Sequence, residues 1–375
     1  MKLAIISHTE HYRASDGSIV GWGPTVTEIN HLLNVFDEIY HIAMLYDKVA
    51  PPSALPYASD RITFVPIPAV GGKSISSKLN SIRNAPKIIS IVASTLKKID
   101  VFQLRAPTGI GVFLIPYLTF FVKKKGWFKY AGNWNQSQPP LGYAIQRFML
   151  KKQRRKVTIN GQWENQPKHC ITFENPCLSA KDLIEGDLAI KYKSFENKLI
   201  FCFVGRLERQ KGVERIIKAF INLEENDKNK IKEVHFVGDG EEKQYFIKLT
   251  ENSGVKFHFN GFLPRNQVFD VYKKSNVFLL PSSASEGFPK VIAEAINFGC
   301  IPLVSNVSSI AQYVEHGKNG IVLDSLTINN LNKELKIVLN LSKKEFYKLL
   351  RARKELIYKF TFEYYNNRIK NHILK

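Results

Sequence analysis

Two glutamates separated by seven residues flank a short segment that contains Gly, Pro and Lys. In SEGFPKVIAE, Glu286 precedes a predicted helix and Glu294 lies inside it. Pro289 suits the first turn of that helix and Gly299 suits its end. Carboxylates at two depths along a helix can accept hydrogen bonds from several hydroxyl groups. The spacing therefore indicates recognition of an elongated ligand that carries hydroxyls, although either glutamate alone could be a solvated helix or turn residue.

A second segment, FVGRLERQKGVERIIKAF, joins a predicted strand to a predicted helix. Gly205 ends the strand, Arg206 and Lys211 lie on the short connection, and Gly212 stands where the helix begins. Free backbone N–H groups and the positive end of the helix dipole favour an anion at such a position, and two cations strengthen that preference. The segment predicts a phosphate site, with an ordinary turn as the alternative. It lacks the spacing of a nucleotide-triphosphate loop or a dinucleotide fingerprint, which disfavours a kinase or a dehydrogenase.

The elements that must position these residues alternate between strand and helix along most of the 375-residue chain, as in a parallel sheet covered by helices. This length exceeds the size of a usual single core, so two domains are expected. The polar, turn-rich residues 174–197 interrupt the alternation. We predict an N-terminal domain at 1–180, a linker at 181–197, a second domain at 198–358 and a C-terminal helix at 359–375.

The second half contains four motifs in order: Arg206 with Lys211, the VGDG turn at 237–240, PSSASEGFPKVIAEA, and EHGKNGIVL at 315–323. In order and spacing these motifs resemble the donor half of retaining glycosyltransferase family 4, the group 1 glycosyltransferases, over about residues 198–325. The resemblance implies an α/β protein of the GT-B type, with two Rossmann-like domains facing across a cleft and a final helix that returns to the first domain. It also implies sugar transfer from a nucleotide-sugar with retention at the anomeric carbon and without a metal.

The resemblance assigns a role to each polar residue of the two segments. Arg206 and Lys211 would hold the diphosphate, Glu286 would bind the donor sugar, and Glu294 would take the ribose hydroxyls. Glu286, Arg206 and Lys211 are thus the expected catalytic residues. The chemistry agrees, because charge develops on the leaving diphosphate and fixed cations stabilise it there.

The backbone is expected to approach the donor at several positions, most of which are glycines. The first half departs from the family, which usually has adjacent glycines after its first strand, because here Trp22 separates the two nearest candidates. The positions where the backbone is expected to contact the donor are Gly205, Gly287, Phe288, Pro289, Gly21 and Gly23.

The net charge of +21 is concentrated in places. Residues 101–163 contain eleven Lys and Arg and no acidic residue. Basic side chains mixed with aromatic ones are typical of a membrane interface, so this segment is predicted to rest on an anionic membrane surface. A solvated basic face is the alternative. The aromatic residues in question are Trp127, Phe128, Tyr130, Trp134, Tyr143 and Phe148.

The remaining features limit location and cofactors. No 18-residue apolar window is present, and the first residues read as a strand and not as a signal peptide, so we expect a cytoplasmic protein held peripherally on the inner face of the membrane. The four cysteines match no zinc pattern, so we expect free thiols and no metal. No cofactor is expected beyond the nucleotide-sugar substrate, with a UDP-sugar favoured over a GDP-sugar.

The sequence thus predicts a retaining glycosyltransferase that transfers a sugar to a lipid-linked or other saccharide acceptor in surface polysaccharide or glycolipid synthesis. A nucleotide-sugar epimerase on a similar fold is the main alternative. A nucleic-acid-binding protein is a remote one, because only the basic charge supports it, and no nucleic-acid partner is expected.

Overall fold

The computed structural model of the protein describes residues 1–72, 74–195 and 198–375. The chain divides into two compact units. Unit 1 comprises Met1–Asn175 together with Tyr364–Lys375, and unit 2 comprises Pro176–Glu363.

Unit 1 is built on one sheet whose order is typical of a Rossmann-like domain. Its strands are β1 (Lys2–Arg13), β2 (Ile19–Trp22), β3 (Glu38–Tyr46), β4 (Ala54–Pro56), β5 (Ile62–Pro68), β6 (Val101–Ala106), β7 (Lys125–Tyr130), β8 (Val157–Ile159) and β9 (Cys170–Thr172). The parallel strands lie in the order β5-β3-β1-β6-β7-β8-β9, and β2 and β4 extend the sheet antiparallel from the end of β1. The helices are α1 (Gly23–Leu32), α2 (Ile75–Arg83), α3 (Ala85–Leu96), α4 (Gly111–Phe120) and α5 (Leu141–Lys152).

Unit 2 contains an all-parallel sheet. Its strands are β10 (Leu199–Val204), β11 (Ile231–Val237), β12 (Phe257–Phe259), β13 (Val277–Leu280), β14 (Ile301–Ser305) and β15 (Ile321–Leu323). They lie in the order β12-β11-β10-β13-β14-β15. The central strands β10, β13 and β14 are nearly continuous apolar runs and are almost fully buried, as expected for the middle of a parallel sheet, whereas β11 and β12 also carry charged and histidine side chains. The helices are α6 (Ala180–Tyr192), α7 (Val213–Ile221), α8 (Glu225–Lys228), α9 (Lys243–Leu249), α10 (Arg265–Lys274), α11 (Lys290–Asn297), α12 (Ile328–Leu339), α13 (Lys343–Leu350) and α14 (Arg353–Tyr358), with short 3₁₀ helices at Arg209–Lys211 and Ile310–Gln312.

The segment predicted as a linker, residues 181–197, is helical over most of its length, so that prediction is wrong for α6. Ser179 caps this helix: its hydroxyl accepts from the backbone N–H of Asp182, and the Asp182 carboxylate accepts in return from the Ser179 backbone N–H at 2.7 Å. This reciprocal pair satisfies two donors of the first turn. Residues 196 and 197 of the predicted linker lie outside the described residues. The units divide earlier, between Asn175 and Pro176.

The C-terminal residues belong to unit 1. Helix α15 (Phe362–Arg368) crosses the boundary between the units and continues as a π-helix at Ile369–Leu374. Side chains spaced four residues apart, Tyr365, Ile369 and Ile373, are buried in the same apolar cluster as the start of β1. Their burial explains why this segment packs with unit 1 although it follows unit 2 in the chain.

Candidate functional site

The carboxyl ends of β10 and β13 lie side by side in unit 2, at the point where the strand order reverses. Open parallel sheets bind ligands at such a point. Two loops leave the sheet here: residues 205–212, called the β10 loop, and residues 281–289, called the β13 loop. Both segments singled out in the sequence therefore lie at the same edge of the same sheet.

Glycines allow the backbones around the β10 loop to approach closely. Gly238, which follows β11, has φ +130°, and a Cβ there would lie 2.0 Å from the carbonyl oxygen of Gly205. Gly212 has φ +91°, and a Cβ there would lie 2.4 Å from the carbonyl oxygen of Pro281. A side chain at either position would force the strand ends apart. The two glycines therefore let the β10 loop pack directly against its neighbours.

Hydrogen bonds join the β10 loop to the β13 loop. The backbone N–H of Ser283 donates to the carbonyl of Gln210 at 2.8 Å, and the Ser282 hydroxyl donates to the same oxygen at 3.2 Å. Arg215, in the first turn of α7, donates from Nη1 to the Pro281 carbonyl. The sequence reasoning missed Arg215, although its place two residues inside a helix that begins at the loop was a usable signal. These bonds fix the position of the β13 loop, which carries Glu286.

Lys211 and Glu286 form an ion pair between the two loops, from Nζ to Oε1. They are not equally accessible: the side chain of Lys211 is 11% exposed, whereas that of Glu286 is 43% exposed. A nearly buried ammonium group thus meets a carboxylate that solvent reaches. An anion or a hydroxyl-bearing ligand can approach the pair from the open side.

Arg206 stands in the β10 loop, but its head group is not paired with Glu286. Its Nη1 lies 2.8 Å from Oε1 of Glu208, and its side chain is 67% exposed. Gly205, beside it, has φ +156° and donates its N–H to the Val237 carbonyl at 3.0 Å. The structure therefore brings Lys211 together with Glu286 and keeps Arg206 as an exposed cation on the same loop.

The β13 loop runs into α11, whose first residue is Lys290. Pro289, predicted in the first turn of this helix, is its N-cap and directly precedes that turn. The Phe288 ring is buried and stacks on Phe360 at 4.6 Å between centroids. The Ser309 hydroxyl donates to the Gly287 carbonyl at 3.2 Å. Packing of the Phe288 side chain and this hydrogen bond together fix the backbone that connects Glu286 to the helix.

Glu294 lies in the second turn of α11 and is half-buried, so the alternative of a solvated helix residue is wrong. Burial raises the pKa of its carboxyl, while the charges of Arg265 and Lys290 lower it in part. Arg265 itself donates to Asp182 at 2.9 Å. The Glu294 carboxyl thus lies beside the guanidinium of Arg265, which already forms an ion pair with the carboxylate of Asp182.

Gly21 and Gly23 lie in unit 1, and packing accounts for both glycines. A Cβ on Gly21 would lie 2.3 Å from Nε2 of His11, which is its partner in the β1–β2 pairing. A Cβ on Gly23 would lie 2.7 Å from the carbonyl oxygen of Ser53, which accepts the Gly23 N–H at 3.0 Å. Their predicted backbone contact with the donor phosphate or the acceptor stays a prediction.

The basic segment 101–163 differs in detail from the prediction. Trp127, Phe128, Tyr130 and Trp134 are buried in the core of unit 1, so these four aromatic rings cannot meet a membrane. Trp127, Phe128 and Tyr130 are buried because β7 lies inside the sheet, between β6 and β8, and Trp134 packs on the Tyr130 ring at 5.0 Å between centroids. The exposed apolar side chains of this segment are instead on or next to α4 and α5: Val112, Phe120, Phe121, Leu141, Tyr143, Ile145 and Phe148.

Five of the eleven basic side chains in this segment are not fully exposed. Arg105 and Lys129 both pair with Glu28, and Arg155 donates to backbone carbonyls, including that of Lys124 at 3.2 Å. Most of the others lie at the surface, several around a cavity of about 360 Å³. Lining this cavity are Lys123, Lys124, Lys125, Arg154, Arg155 and Lys156, with the C-terminal residues 372, 373 and 375. Within the described ranges, no helix is both long and apolar enough to cross a bilayer.

Comparison with known proteins identifies the region that holds both loops. Residues 187–355 match the family described as Glycosyl transferases group 1. The resemblance read from the motifs is thereby confirmed at the level of this family. Both loops and Glu294 lie inside the matched glycosyltransferase region.

Curated relatives carry glycosyltransferase names. A Campylobacter jejuni protein is 29% identical over 48% of this chain and 47% of its own length; it is named a GalNAc-alpha-(1->4)-GalNAc-alpha-(1->3)-diNAcBac-PP-undecaprenol alpha-1,4-N-acetyl-D-galactosaminyltransferase. An Escherichia coli protein, named a UDP-Gal:alpha-D-GlcNAc-diphosphoundecaprenol alpha-1,3-galactosyltransferase, is 31% identical over 40% of this chain and 38% of its own length. The chain thus spans less than half the length of either relative.

Solved structures match almost the whole chain. Anabaena HepE in complex with UDP and glucose aligns with a TM-score of 0.69 over 99% of this chain and 98% of its own, at 14% identity. Sucrose-phosphate synthase from Thermosynechococcus elongatus aligns with a TM-score of 0.73 over the same shares of the two chains, also at 14% identity. At such identities the likeness concerns the fold alone, and the fold is the GT-B fold of two Rossmann-like domains. The α/β prediction is confirmed.

Proposed function

We propose that the chain is a retaining glycosyltransferase that transfers a sugar from a nucleotide-diphosphate sugar to a lipid-linked saccharide. The observation that carries this proposal is the ion pair between nearly buried Lys211 and half-exposed Glu286, at the carboxyl ends of β10 and β13. The match of residues 187–355 to group 1 glycosyltransferases supports the same reading.

The Lys211–Glu286 pair has a simple role in the proposed reaction. A diphosphate entering the site would compete with Glu286 for the Lys211 ammonium group, and the freed carboxylate would accept a hydrogen bond from a hydroxyl of the donor sugar. As the glycosidic bond to the diphosphate breaks, negative charge grows on the leaving oxygen. Lys211, the exposed Arg206 and the N–H groups at the start of α7 would stabilise that charge without a metal. Glu294 would hold the ribose.

Two features support the donor and acceptor classes. HepE, which shares the fold, binds UDP and glucose, and the named relatives from C. jejuni and E. coli act on undecaprenol-linked sugars. We therefore place a UDP-sugar first among donors and a polyprenyl-diphosphate-linked saccharide first among acceptors. Nothing comparable favours a nucleotide-sugar epimerase.

The test is a transfer assay in excess chelator, with a panel of UDP- and GDP-sugars and polyprenyl-diphosphate-linked saccharides. We expect one donor to give a product whose anomeric configuration, read by NMR, equals that of the donor. An inverted product, a strict magnesium requirement, or an epimerised nucleotide-sugar formed without acceptor would each contradict the proposal.

Membrane attachment is part of the proposal and rests on α5. Leu141, Ile145 and Phe148 recur at i, i+4 and i+7 on this helix and are all exposed, and Lys151 and Lys152 follow them. An exposed apolar stripe beside cations is typical of a helix that lies in the interface of an anionic bilayer. We propose that this face of unit 1 rests peripherally on the cytoplasmic leaflet.

Vesicle co-sedimentation tests the attachment. Wild-type protein should bind vesicles that contain anionic lipid and should lose binding as salt rises, because each basic side chain contributes about 1 kcal/mol near the surface. The test variant changes Lys123, Lys151, Lys152 and Lys156 to Gln, and the control variant changes the exposed Lys232, Lys333, Lys344 and Lys348 of unit 2 to Gln. Lys125 and Arg155 are left intact because both donate hydrogen bonds to backbone carbonyls. Equal vesicle binding by the test variant and the control variant would contradict the attachment.

A further inference from the structure

Three potential metal ligands meet on the outer part of the unit 2 sheet, on strands β11 and β12. His235 and His258 are direct partners in the parallel pairing of the two strands, and Glu233 lies two residues before His235. Side chains two residues apart on a strand point to the same face, so all three side chains leave the same face of the sheet. The sequence segments EVHF (233–236) and KFHF (256–259) carry this signal, which a search for cysteine patterns does not detect.

The distances suit a single ion. Nε2 of His235 lies 3.1 Å from Oε1 of Glu233, and Nε2 of His258 lies 3.1 Å from Oε2. The imidazole rings stack 4.8 Å apart with 12° between their planes, and one ligand atom from each residue lies within 4.8 Å of the others. In a tetrahedral zinc site with Zn–N near 2.0 Å, ligand atoms stand about 3.3 Å apart. Small rotations of the side chains would bring all three atoms onto one ion.

We propose that Glu233, His235 and His258 bind a divalent transition metal of the zinc class, with water in the remaining position. Two imidazoles and a carboxylate form a donor set that zinc uses in proteins. The side chains are 18%, 18% and 33% exposed, so the site is partly shielded yet open to an ion from solvent.

The metal joins an edge strand to its neighbour. Strand β12 has three residues, stands at the end of the sheet order and pairs with β11. An ion held by His258 on β12 and by His235 and Glu233 on β11 cross-links the two strands. The role is therefore structural, and it is separate from Lys211 and Glu286, which lie in the loops after β10 and β13.

Two neighbouring side chains, Asn260 and Lys256, affect metal binding at this site. The amide of Asn260 lies 3.3 Å from Nδ1 of His235, and rotating this amide turns its oxygen toward the Nδ1–H that a metal-bound imidazole carries. Lys256 lies 3.6 Å from Oε2 of Glu233, and its side chain is 66% exposed. The Lys256 ammonium group repels a metal cation bound by Glu233, so removal of Lys256 should tighten metal binding.

Zinc titration of the untagged, chelator-treated protein tests the proposal, with isothermal calorimetry as the readout and Co²⁺ absorption as a check on coordination. We expect one Zn²⁺ per chain with an affinity of 10 µM or tighter as an order of magnitude, and an unfolding temperature that rises with zinc as for any ligand of the folded state. His258→Gln and Glu233→Gln should weaken binding at least about tenfold. Lys256→Gln should strengthen it.

His316→Gln is the matched control, because this exposed histidine of unit 2 lies outside the cluster and should leave binding unchanged. Circular dichroism of the metal-free variants verifies that each one folds. The proposal is overturned if wild type binds no zinc at 100 µM, or if His258→Gln binds zinc as tightly as wild type. Unchanged affinity in Lys256→Gln would also overturn the assigned position of the ion.

Discussion

Unit 1 and unit 2 each contain a Lys–Glu ion pair at the sheet, and the two pairs differ in access to solvent. In unit 1, Glu28 accepts from Lys129 at 2.5 Å and from Arg105 at 2.9 Å, and no side chain of the three is more than 11% exposed. In unit 2, Lys211 is similarly buried, but its partner Glu286 is 43% exposed. The first cluster is closed and the second is open on one side.

Access, and not charge, thus separates a structural ion cluster from a candidate site. The unit 1 cluster is further enclosed by Tyr365, whose hydroxyl accepts from Lys129 at 3.2 Å. Its charges are satisfied by protein groups, which is what burial of charge requires. In unit 2 the glycines at 212 and 238 and the hydrogen bonds from the β13 loop to the β10 loop hold the pair at the edge of the sheet, where a ligand can displace one partner.

The largest expected effect comes from removing the carboxylate of Glu28 from the closed ion cluster of unit 1. Glu28→Ala should lower the free energy of unfolding by about 3–5 kcal/mol, because it leaves two buried cations without their carboxylate. Urea denaturation measures the change. Glu38→Ala, which removes a carboxylate 40% exposed and paired with Lys2, is the control and should cost at most about 1 kcal/mol. Equal stability of Glu28→Ala and wild type would contradict the contrast between the two clusters.

Removing Lys211, the cation of the open pair, should lower activity strongly and stability little, the reverse of what is expected at Glu28. Lys211→Met should slow sugar transfer about 10²–10³-fold, since one lost stabilising contact to a developing charge has that effect. Its free energy of unfolding should change by about 1 kcal/mol or less, because solvent already reaches Glu286. Lys218→Met, on the exposed side of α7, should leave transfer unchanged. A Lys211→Met protein with full activity would remove the diphosphate site from this loop.

The two glutamates should affect different kinetic quantities. Glu286→Ala should lower kcat about 10–100-fold, because its proposed partner is the sugar, and nucleotide affinity should stay the same or increase, because the carboxylate that competes for Lys211 is gone. Glu294→Ala should weaken nucleotide binding by a similar factor, as expected for a lost hydrogen bond to a charged group worth about 1.5–3 kcal/mol. Steady-state kinetics and calorimetry distinguish them. Small and equal effects from both substitutions would contradict their roles.

Asp182→Asn, which removes the charge that pairs with Arg265, should lower the free energy of unfolding by a smaller amount, about 1 kcal/mol. The amount is small because the arginine of this pair is 42% exposed. The hydrogen bonds and charge of Arg265 help hold the pKa of the Asp182 carboxyl below its usual value despite burial. A lowered folded-state pKa gives stability that is present above the unfolded pKa near 3.9 and is lost as pH falls through the folded value. The stability difference between wild type and Asp182→Asn should therefore shrink below about pH 4. A difference that persists at pH 2 would rule out this ionic origin.

The smallest effect is expected at the exposed pair beside the open site. Glu208→Gln removes the partner of Arg206, which is 67% exposed, and should change the free energy of unfolding by at most about 0.5 kcal/mol. It should not weaken nucleotide binding, because Arg206 is then free to turn toward a phosphate. Chemical denaturation and calorimetry measure both. A tenfold loss of nucleotide affinity would indicate that Glu208 positions Arg206.

The sequence predicted the strands and helices of unit 2 well because its strands are apolar runs bounded by glycine, proline or serine. Gly299, for example, follows the end of α11 with φ +76°, as its place in the pattern required. Helix α6 was missed because its charged residues and Gly186 resemble a linker. Gly186 is needed there, since a Cβ would lie 2.4 Å from the carbonyl oxygen of Asn297.

The partners of distant charges could not be read from the sequence. Lys129 and Arg105 appeared to be surface cations, yet both pair with Glu28, which is 101 and 77 residues away in the chain. The pairing of Lys211 with Glu286, 75 residues apart, was also out of reach, although both residues had been selected individually. Local pattern identifies candidate residues, whereas the tertiary fold decides which charges are already satisfied.

Nucleoside-diphosphate binding is the most direct test of the central claim that the open Lys211–Glu286 pair forms the donor site. Calorimetry with UDP and GDP on wild type, Lys211→Met and the Lys218→Met control needs neither acceptor nor donor sugar. We predict that at least one diphosphate binds wild type and the control equally, and that Lys211→Met binds it at least about tenfold more weakly, as expected for the loss of a charge-assisted contact. Equal binding by wild type and Lys211→Met, or no binding of either nucleotide, would contradict the claim.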